Sequence, residues 1–299
     1  MCALSLSLSL ESGGLEQTAD NLRACRSSPS DGDFPRPTPQ LSESVFDLFS
    51  MKGRVSAITG GGSGIGWATA EAIAEAGGDV AIIGRRNQDA KAEELSKRFN
   101  IRCKAYQCDA TDADAIEKTI DAVGNDFGRL DCFVANAGGG VPGSIDENYA
   151  LDSWKQTMDV NLNSTFWCAR ACAKWFKKAA ESGVKASFIA TTSISARIVN
   201  VPYDQPAYNS SKAGVVHFCR SIARDWRNFA RVNCISPGFF DTAMGPSDAE
   251  VEKVVERLSV FGRPGNVKEL KAAYLYLASN ASSYTTGSDI LVDGGYCLT

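Results

Sequence analysis

Short apolar runs and amphipathic segments alternate along the chain from residue 45 to its end. The apolar runs predict buried strands at 54–59, 79–84, 102–108, 130–140, 186–193, 230–242 and 289–295. Helices are predicted after the glycine turn at 60–66, at 89–99, between Asp109 and residue 130, at 152–178, around Tyr208, at 248–260 and at 266–279. Because strands and helices alternate, we expect an α/β fold with one Rossmann-type, doubly wound parallel sheet and helices on both faces.

Residues 1–44 differ in composition and predict a disordered N-terminal extension before a single domain at 45–299. The run ALSLSLSL is not preceded by basic residues, and Glu11 and Glu16 follow it closely. This pattern fits neither a secretory signal nor a transit peptide. The stretch 27–40 is rich in serine, proline and aspartate, and such stretches bury too little apolar surface to fold.

A glycine-rich turn joins the first predicted strand to its helix. After Gly60 and Gly61 the turn continues with Gly62, Ser63, Gly64, Ile65 and Gly66. Glycines let the backbone approach a pyrophosphate, and the helix N-terminus directs unpaired N–H groups at it. The turn therefore predicts a nucleotide-phosphate cradle, with a tight connection that binds nothing as the alternative.

The end of the second strand indicates which dinucleotide is bound. In NAD-binding folds an acidic residue about 20 positions after the glycines holds the ribose 2′-hydroxyl. Gly84 stands at that place and is followed by Arg85 and Arg86. A guanidinium suits a 2′-phosphate, so we expect NADP (NADPH) rather than NAD. The alternative is that both arginines are solvated side chains on a loop.

The stretch 193–212 contains the candidate acid–base chemistry. Tyr208 and Lys212 are four residues apart and share one face of a helix, while Ser193 ends the preceding strand. A phenol has an ordinary pKa of about 10, and a neighbouring ammonium lowers that pKa. The pair is either such a catalytic centre or two solvated residues on an amphipathic helix.

Charge and composition narrow the classes of function. The net charge of −4 argues against a protein that binds nucleic acid through phosphate contacts, and no apolar run reaches membrane-spanning length. The ten cysteines are scattered without a CxxC pair, and His217 is the single histidine. Neither a disulfide framework nor a metal site is expected. We predict a reduced, cytoplasmic protein.

Taken together, these motifs resemble the short-chain dehydrogenase/reductase family. The matching residues are Thr59-Gly60-x-x-x-Gly64-x-Gly66, Asn136-Ala137-Gly138, Asn161, Ser193, Tyr208-x-x-x-Lys212 and Pro237-Gly238. They occur in the family's order between about residues 45 and 296. The segments 45–55, 229–242 and 268–296 are similar to the branch that holds fungal NADP-dependent mannitol dehydrogenase and sorbose reductase.

The resemblance implies a role for each matched residue. Tyr208 is the acid–base group, Lys212 lowers its pKa and holds the nicotinamide ribose, and Ser193 hydrogen-bonds the substrate oxygen. Asn161 supports a water-linked proton relay. Cofactor contacts are implied for the glycine turn, Arg85, Arg86, Asp109 (adenine), Asn136, Ala137, Gly138, Tyr208, Lys212, Pro237, Gly238 and Thr242 (carboxamide). Family members are usually homotetramers or homodimers in which long helices pair.

The expected activity is NADP(H)-dependent interconversion of a ketone and a secondary alcohol. The loops 139–142, 199–205 and 239–260 are expected to form the pocket. Asp204, Gln205 and Asp241 suit the hydroxyls of a ketose/polyol pair, whereas Tyr203, Phe239 and Phe240 suit a larger secondary metabolite. A dinucleotide-binding protein without turnover is the third possibility.

Overall fold

The computed structural model describes residues 39–199, 201–242 and 249–298. All the elements below belong to the compact unit that begins at Leu41. The predicted disordered extension at 1–44 therefore lies mostly outside the described residues.

Within these ranges the strands and helices alternate as the hydrophobic pattern predicts. The strands are β1 (Val55–Thr59), β2 (Asp79–Gly84), β3 (Cys103–Gln107), β4 (Cys132–Ala135), β5 (Ala186–Thr191), β6 (Ala230–Pro237), β7 (Phe240–Asp241), β8 (Gly265–Asn266) and β9 (Asp289–Val292). The α-helices are α1 (Val45–Leu48), α2 (Gly64–Glu75), α3 (Asp89–Phe99), α4 (Ala113–Phe127), α5 (Leu151–Met158), α6 (Ser164–Glu181), α7 (Pro206–Asp225), α8 (Ala249–Leu258) and α9 (Lys271–Ala278).

Seven strands form one parallel sheet in the order β3-β2-β1-β4-β5-β6-β9. All five residues of β1 and all eight of β6 are buried, as expected for strands covered on both faces. The direction of connection reverses between β1 and β4. Open α/β sheets bind ligands outside the carboxyl ends of their strands at such a switch point.

Helices pack on both faces of the sheet, which confirms the predicted fold class. On one face Ile116, Ile120 and Phe176 pack against Phe133 and Phe188 of the central strands. On the other face, Ile73, Leu95 and Tyr274 are packed in a second apolar cluster with β2 and β4. Six of the described cysteines are buried and none of the eight is paired, so they pack as small apolar side chains.

The predicted helix at 152–178 is found, since residues 151–181 are helical throughout, but its hydrogen-bond register changes once. A π-helical segment, Asp159–Asn163, separates α5 from α6. The Thr165 hydroxyl donates to the carbonyl of Asn161 at 2.7 Å, and the Ser164 hydroxyl donates to Val160 at 2.7 Å. Hydroxyls that bond back to helix carbonyls bend helices, and π-segments often occur at functional sites.

The first turn of the predicted helix at 266–279 differs from the prediction. Val267–Leu270 is a 3₁₀ turn, and the α-helix starts only at Lys271. Asn266 and Glu269 form a reciprocal capping box over this turn, which holds the first turn tighter than an α-helix.

In the described part of the chain, no helix is long and apolar enough to span a bilayer.

Candidate active site

The glycine turn lies at the carboxyl end of β1 and opens α2. Gly60 has φ +66° and Gly64 has φ +51°, backbone conformations that favour glycine. A Cβ on Gly66 would lie 2.2 Å from the Gly60 carbonyl oxygen, and one on Gly62 would lie 2.4 Å from the Gln88 amide carbon. Ser63 precedes the helix without capping it through its side chain. The turn therefore leaves helix N–H groups for a phosphate, and its shape fits a dinucleotide pyrophosphate.

Hydrogen bonds between side chains and backbone join the carboxyl ends of β1, β4 and β5 at this turn. The Thr59 hydroxyl accepts from the backbone N–H groups of Asn136 (2.9 Å) and Ala137 (3.0 Å). The Asn136 amide donates to the Thr59 carbonyl at 3.0 Å and accepts from the Thr191 hydroxyl at 3.1 Å. Asn136, Ala137 and Gly138 thus line the edge where the glycine turn begins.

Helix α7 brings two predicted catalytic residues to the same edge. The Lys212 side chain is 3% exposed, and its Nζ donates to the Thr191 carbonyl at 2.9 Å. Nζ lies 5.5 Å from the centre of the Tyr208 ring. The Ser193 side chain is hydrogen-bonded to Tyr208. Ser193, Tyr208 and Lys212 therefore form one cluster, although the sequence separates them by up to nineteen positions.

Asn161 completes this cluster from the π-helical segment. Its side chain is 1% exposed, accepts from the Gly139 N–H at 3.1 Å and donates to the Gly139 and Thr157 carbonyls. A Cβ on Gly138 would lie 2.8 Å from Asn161 Oδ1 and 3.0 Å from Lys212 Nζ. A glycine at 138 is therefore needed for the amide and the ammonium to approach each other.

Burial shifts the pKa of both ionisable groups in the cluster. Although part of the Tyr208 side chain is exposed, burial is the largest influence on its pKa and raises it, while the hydrogen bond with Ser193 acts in the opposite direction. Burial lowers the pKa of Lys212 to about 8. The expected lowering of the Tyr208 pKa by Lys212 is therefore not found for the chain alone, because desolvation favours the neutral phenol.

The predicted residues for the adenosine end lie at the ends of β2 and β3. Arg85 and Arg86 are exposed, and neither forms an ion pair within the described residues. The Asp109 carboxylate accepts from the backbone N–H of Thr111 at 2.9 Å and from its hydroxyl at 2.8 Å. These hydrogen bonds, together with the charge of Arg85, lower the pKa of Asp109.

On the other side of the switch point, Pro237 ends β6 and Gly238 follows it. The Gly238 N–H donates to the Val292 carbonyl at 2.9 Å, and a Cβ there would lie 2.8 Å from the Asp293 Cα. The Thr242 methyl would lie 3.4 Å from a Cβ on Gly64, so Thr242 faces the glycine turn. Ile65, in contrast, packs partly buried against the apolar cluster under α2.

An open cavity of about 430 Å³ lies at the start of α7. Its walls include Ile145 and Val199 from the loops after β4 and β5, and Asp204, Gln205 and Asn209, but not Tyr208. Asn209 and the other α7 residues of the cavity share a helix face different from that of Tyr208 and Lys212. The loop 139–145 is held there because the Gly143 N–H and the Ser144 hydroxyl both bond to Asp204. The loop predicted at 139–142 lies beside Tyr208, since a Cβ on Gly140 would be 3.0 Å from Cδ2 of that ring. Val199, Asp204 and Gln205 of the other predicted loop line the cavity.

Two residues of the site carried no signal in the sequence. Thr191 ends β5, where its carbonyl accepts from Lys212 and its hydroxyl bonds Asn136 and, at 2.7 Å, the phenol of Tyr274. Tyr274 is 1% exposed and lies on α9, eighty-three residues away in the chain. Only the folded sheet brings these partners together.

The parallel sheet, the glycine cradle at its switch point and the adjacent Ser-Tyr-Lys cluster define a dinucleotide-binding fold with acid–base groups. A family model described as enoyl-(acyl carrier protein) reductase matches residues 60–297. A sorbose reductase of Candida albicans is 46% identical over 272 residues, which cover 90% of this chain and 95% of that protein. A probable NADP-dependent mannitol dehydrogenase of Yarrowia lipolytica is 45% identical over 271 residues, which cover 88% of this chain and 95% of that protein.

Among solved structures, an NADPH-dependent 3-quinuclidinone reductase from Rhodotorula rubra superposes with a TM-score of 0.86. The two sequences are 68% identical, and the match covers 89% of this chain and 99% of the reductase chain. The chain belongs to the short-chain dehydrogenase/reductase family. The family predicted from the motifs is confirmed, and so is the fold.

Proposed function

We propose that the chain is an NADP(H)-dependent oxidoreductase that interconverts a ketone and a secondary alcohol. The clustering of Ser193, Tyr208 and Lys212 carries this proposal. The cluster is connected to the glycine turn through three hydrogen bonds, from Lys212 to Thr191, from Thr191 to Asn136 and from Asn136 to Thr59. A carbonyl held beside Tyr208 would therefore lie next to a dinucleotide bound at the turn.

Tyr208 is the proposed proton donor in the direction of reduction. The reduced nicotinamide supplies a hydride to the carbonyl carbon when the cofactor is bound. Because burial raises the pKa of Tyr208, the phenol is protonated at neutral pH, which is the form that reduction requires. Ser193 would hydrogen-bond the same carbonyl oxygen and stabilise the developing alkoxide.

Lys212 and Asn161 are the proposed supports of this proton donor. With a pKa of about 8, Lys212 is mostly an ammonium at pH 7, and its charge favours the phenolate left after proton transfer. Asn161 faces Lys212 across Gly138. That position is compatible with a water-linked relay that returns a proton to Tyr208 through the lysine.

The residues also fit NADP as the cofactor. The glycine turn would hold the pyrophosphate, Asp109 the adenine, and Asn136 to Gly138 the central groove. Arg85 and Arg86, which are free of ion pairs within the described residues, would accept the 2′-phosphate. Pro237, Gly238 and Thr242 would contact the nicotinamide side. Relatives named as NADP- or NADPH-dependent support this choice over NAD.

A ketose/polyol pair is the first proposed substrate class. The names of the sorbose reductase and mannitol dehydrogenase relatives support it. A compact cyclic ketone is the second class. The relative named for 3-quinuclidinone supports it, because that protein is 68% identical to this chain.

The test is an NADPH-oxidation assay with fructose, sorbose, 3-quinuclidinone and bulky aromatic ketones, using wild type and Tyr208→Phe. We expect the variant to lose about 10²- to 10⁴-fold in kcat, as for other general acids, while its Kd for NADPH stays unchanged. Activity within about tenfold of wild type would remove Tyr208 from the role of acid. Turnover of ketoses above the other ketones supports the first class, and no turnover with any carbonyl supports a binding protein without catalysis.

We also propose that the protein is a cytoplasmic homotetramer or homodimer. The eight cysteines of the described ranges are all free thiols, which suits a reducing compartment. Phe166 of α6 is 47% exposed and packs edge-to-face on Phe218 of α7. An exposed aromatic pair on these two helices suits pairing of the same helices between subunits.

A further inference from the structure

Lys91 extends from the first turn of α3 back over the glycine turn. Its Nζ donates to the Gly62 carbonyl at 2.5 Å and lies 4.7 Å from the centre of the Trp67 ring. A helix-surface lysine ordinarily extends into water or pairs with an acid one turn away, as Lys97 of the same helix does with Glu93. Lys91 is partly buried and has no carboxylate partner in the part of the chain that the structure describes.

The surroundings of Lys91 carry an excess of positive charge. Arg85 and Arg86 follow β2 at the same edge of the sheet. Of the nearby acids, Asp89 accepts from the Asn87 amide at 2.7 Å, and Asp109 is bonded by Thr111. Neither acid forms an ion pair with the three cations within 4 Å. Arg85 acts on Asp109 only through its charge, so an anion that reaches the glycine turn would meet three cations against two carboxylates.

The position of Lys91 relative to a bound dinucleotide follows from the two elements that it connects. The pyrophosphate lies at the glycine turn, and the adenosine ribose lies at the end of the second strand. Lys91 belongs to the helix that follows β2, and its ammonium contacts the turn itself. The ammonium therefore lies at the glycine turn, on the side of the helix that follows β2.

We infer that Lys91 is a ligand of the 2′-phosphate and, with Arg85, selects NADPH over NADH. This inference rests on the proposed NADP(H)-dependent function. An ammonium has three donors, and the Gly62 carbonyl takes one, so two donors remain for phosphate oxygens. The Trp67 ring holds the cation in place through a cation–π contact. A lysine held in this way loses less rotamer entropy on binding than a free one.

The experiment compares Lys91→Gln with Lys97→Gln, a matched loss of one lysine from the same helix. The Kd values for NADPH, NADH, 2′,5′-ADP and 5′-AMP are measured by calorimetry, which needs no turnover. In Lys91→Gln the Kd for NADPH and for 2′,5′-ADP is expected to rise about tenfold, the effect of one charged hydrogen bond. The Kd for NADH and 5′-AMP should stay within about twofold, and Lys97→Gln should change none of the four.

Two outcomes overturn the inference. Equal losses for the phosphorylated and unphosphorylated ligands would make Lys91 a structural support of the glycine turn. An unchanged preference for 2′,5′-ADP in Lys91→Gln would leave the 2′-phosphate to the arginines alone. If wild type itself binds NADPH no better than NADH, the proposed cofactor specificity fails; if wild type prefers NADPH and Lys91→Gln keeps that preference, only this inference fails.

Discussion

Replacing Gly66 by alanine tests whether the close packing of the glycine turn is needed. The added Cβ would lie 2.2 Å from the Gly60 carbonyl oxygen and 2.6 Å from the Asn136 amide nitrogen. Unbonded heavy atoms are normally about 3.5 Å apart, so the overlap exceeds 1 Å. Because one of the atoms is backbone, a side-chain rotation cannot relieve it, and α2 must move away from β1.

The expected cost follows from two opposing effects. Forcing an extra methyl group into a packed site destabilises a protein by about 1–3 kcal/mol. Alanine in a helix recovers up to about 1 kcal/mol relative to glycine. Because the overlap exceeds 1 Å, the upper end of the first range applies and the net loss is about 2 kcal/mol, which lowers Tm by roughly 4–8 °C for a domain of this size. The displaced helix N-terminus should also raise the Kd for NADPH at least about tenfold.

The assay is thermal unfolding followed by circular dichroism, together with calorimetric titration of NADPH. Gly84→Ala is the matched control for stability, because a Cβ at Gly84 meets no atom within 4 Å and its φ is not positive. We expect the Tm of Gly84→Ala to stay close to that of wild type. The reasoning is refuted if Gly66→Ala has the same Tm as Gly84→Ala and binds NADPH like wild type.

Two further predictions concern buried charges. Burial lowers the Lys212 pKa from its ordinary 10.5 to about 8. Between these two pH values the Lys212 amine is protonated only in the unfolded chain, so the free energy of unfolding of wild type should rise by about 3 kcal/mol across that window. In urea denaturation the stability of Lys212→Met relative to wild type should therefore fall by about 3 kcal/mol between pH 8 and pH 10.5; a difference independent of pH contradicts this. Asp131 is 2% exposed, accepts from the Val55 N–H at 2.8 Å and binds Arg129 through both oxygens. Asp131→Ala should cost about 2–3 kcal/mol because it leaves that N–H unpaired. Arg129→Ala should cost less, about 1–2 kcal/mol, because the Asp131 carboxylate keeps the Val55 N–H and the charge of Arg54; the opposite order of urea midpoints would show that the N–H bond is unimportant.

The elements that were predicted well depend on contacts within a short stretch of chain. The apolar run 79–84 and the helix 89–99 were found with the predicted bounds, because alternation, helix periodicity and end signals are local properties. The helix at 152–178 was found as well, but its π-helical segment was not predicted, for the opposite reason. Its π-helical segment places Asn161 against Gly139, twenty-two residues away, and no periodicity within the helix reports a bond to another loop.

The same distinction applies to the chemistry of the site. Local patterning in the sequence determined the α/β class and the position of the glycine turn, because strand ends and helix starts follow from backbone geometry. The family resemblance singled out Ser193, Tyr208 and Lys212, whose spacing alone also fits two solvated residues on a helix. Only the tertiary structure determined in which direction the pKa values of Tyr208 and Lys212 are shifted, because the residues packed around these side chains bury them. It also decided the position of Lys91 over the glycine turn. A charge is visible in a sequence, whereas the dielectric and the partners around that charge exist only after the chain has folded.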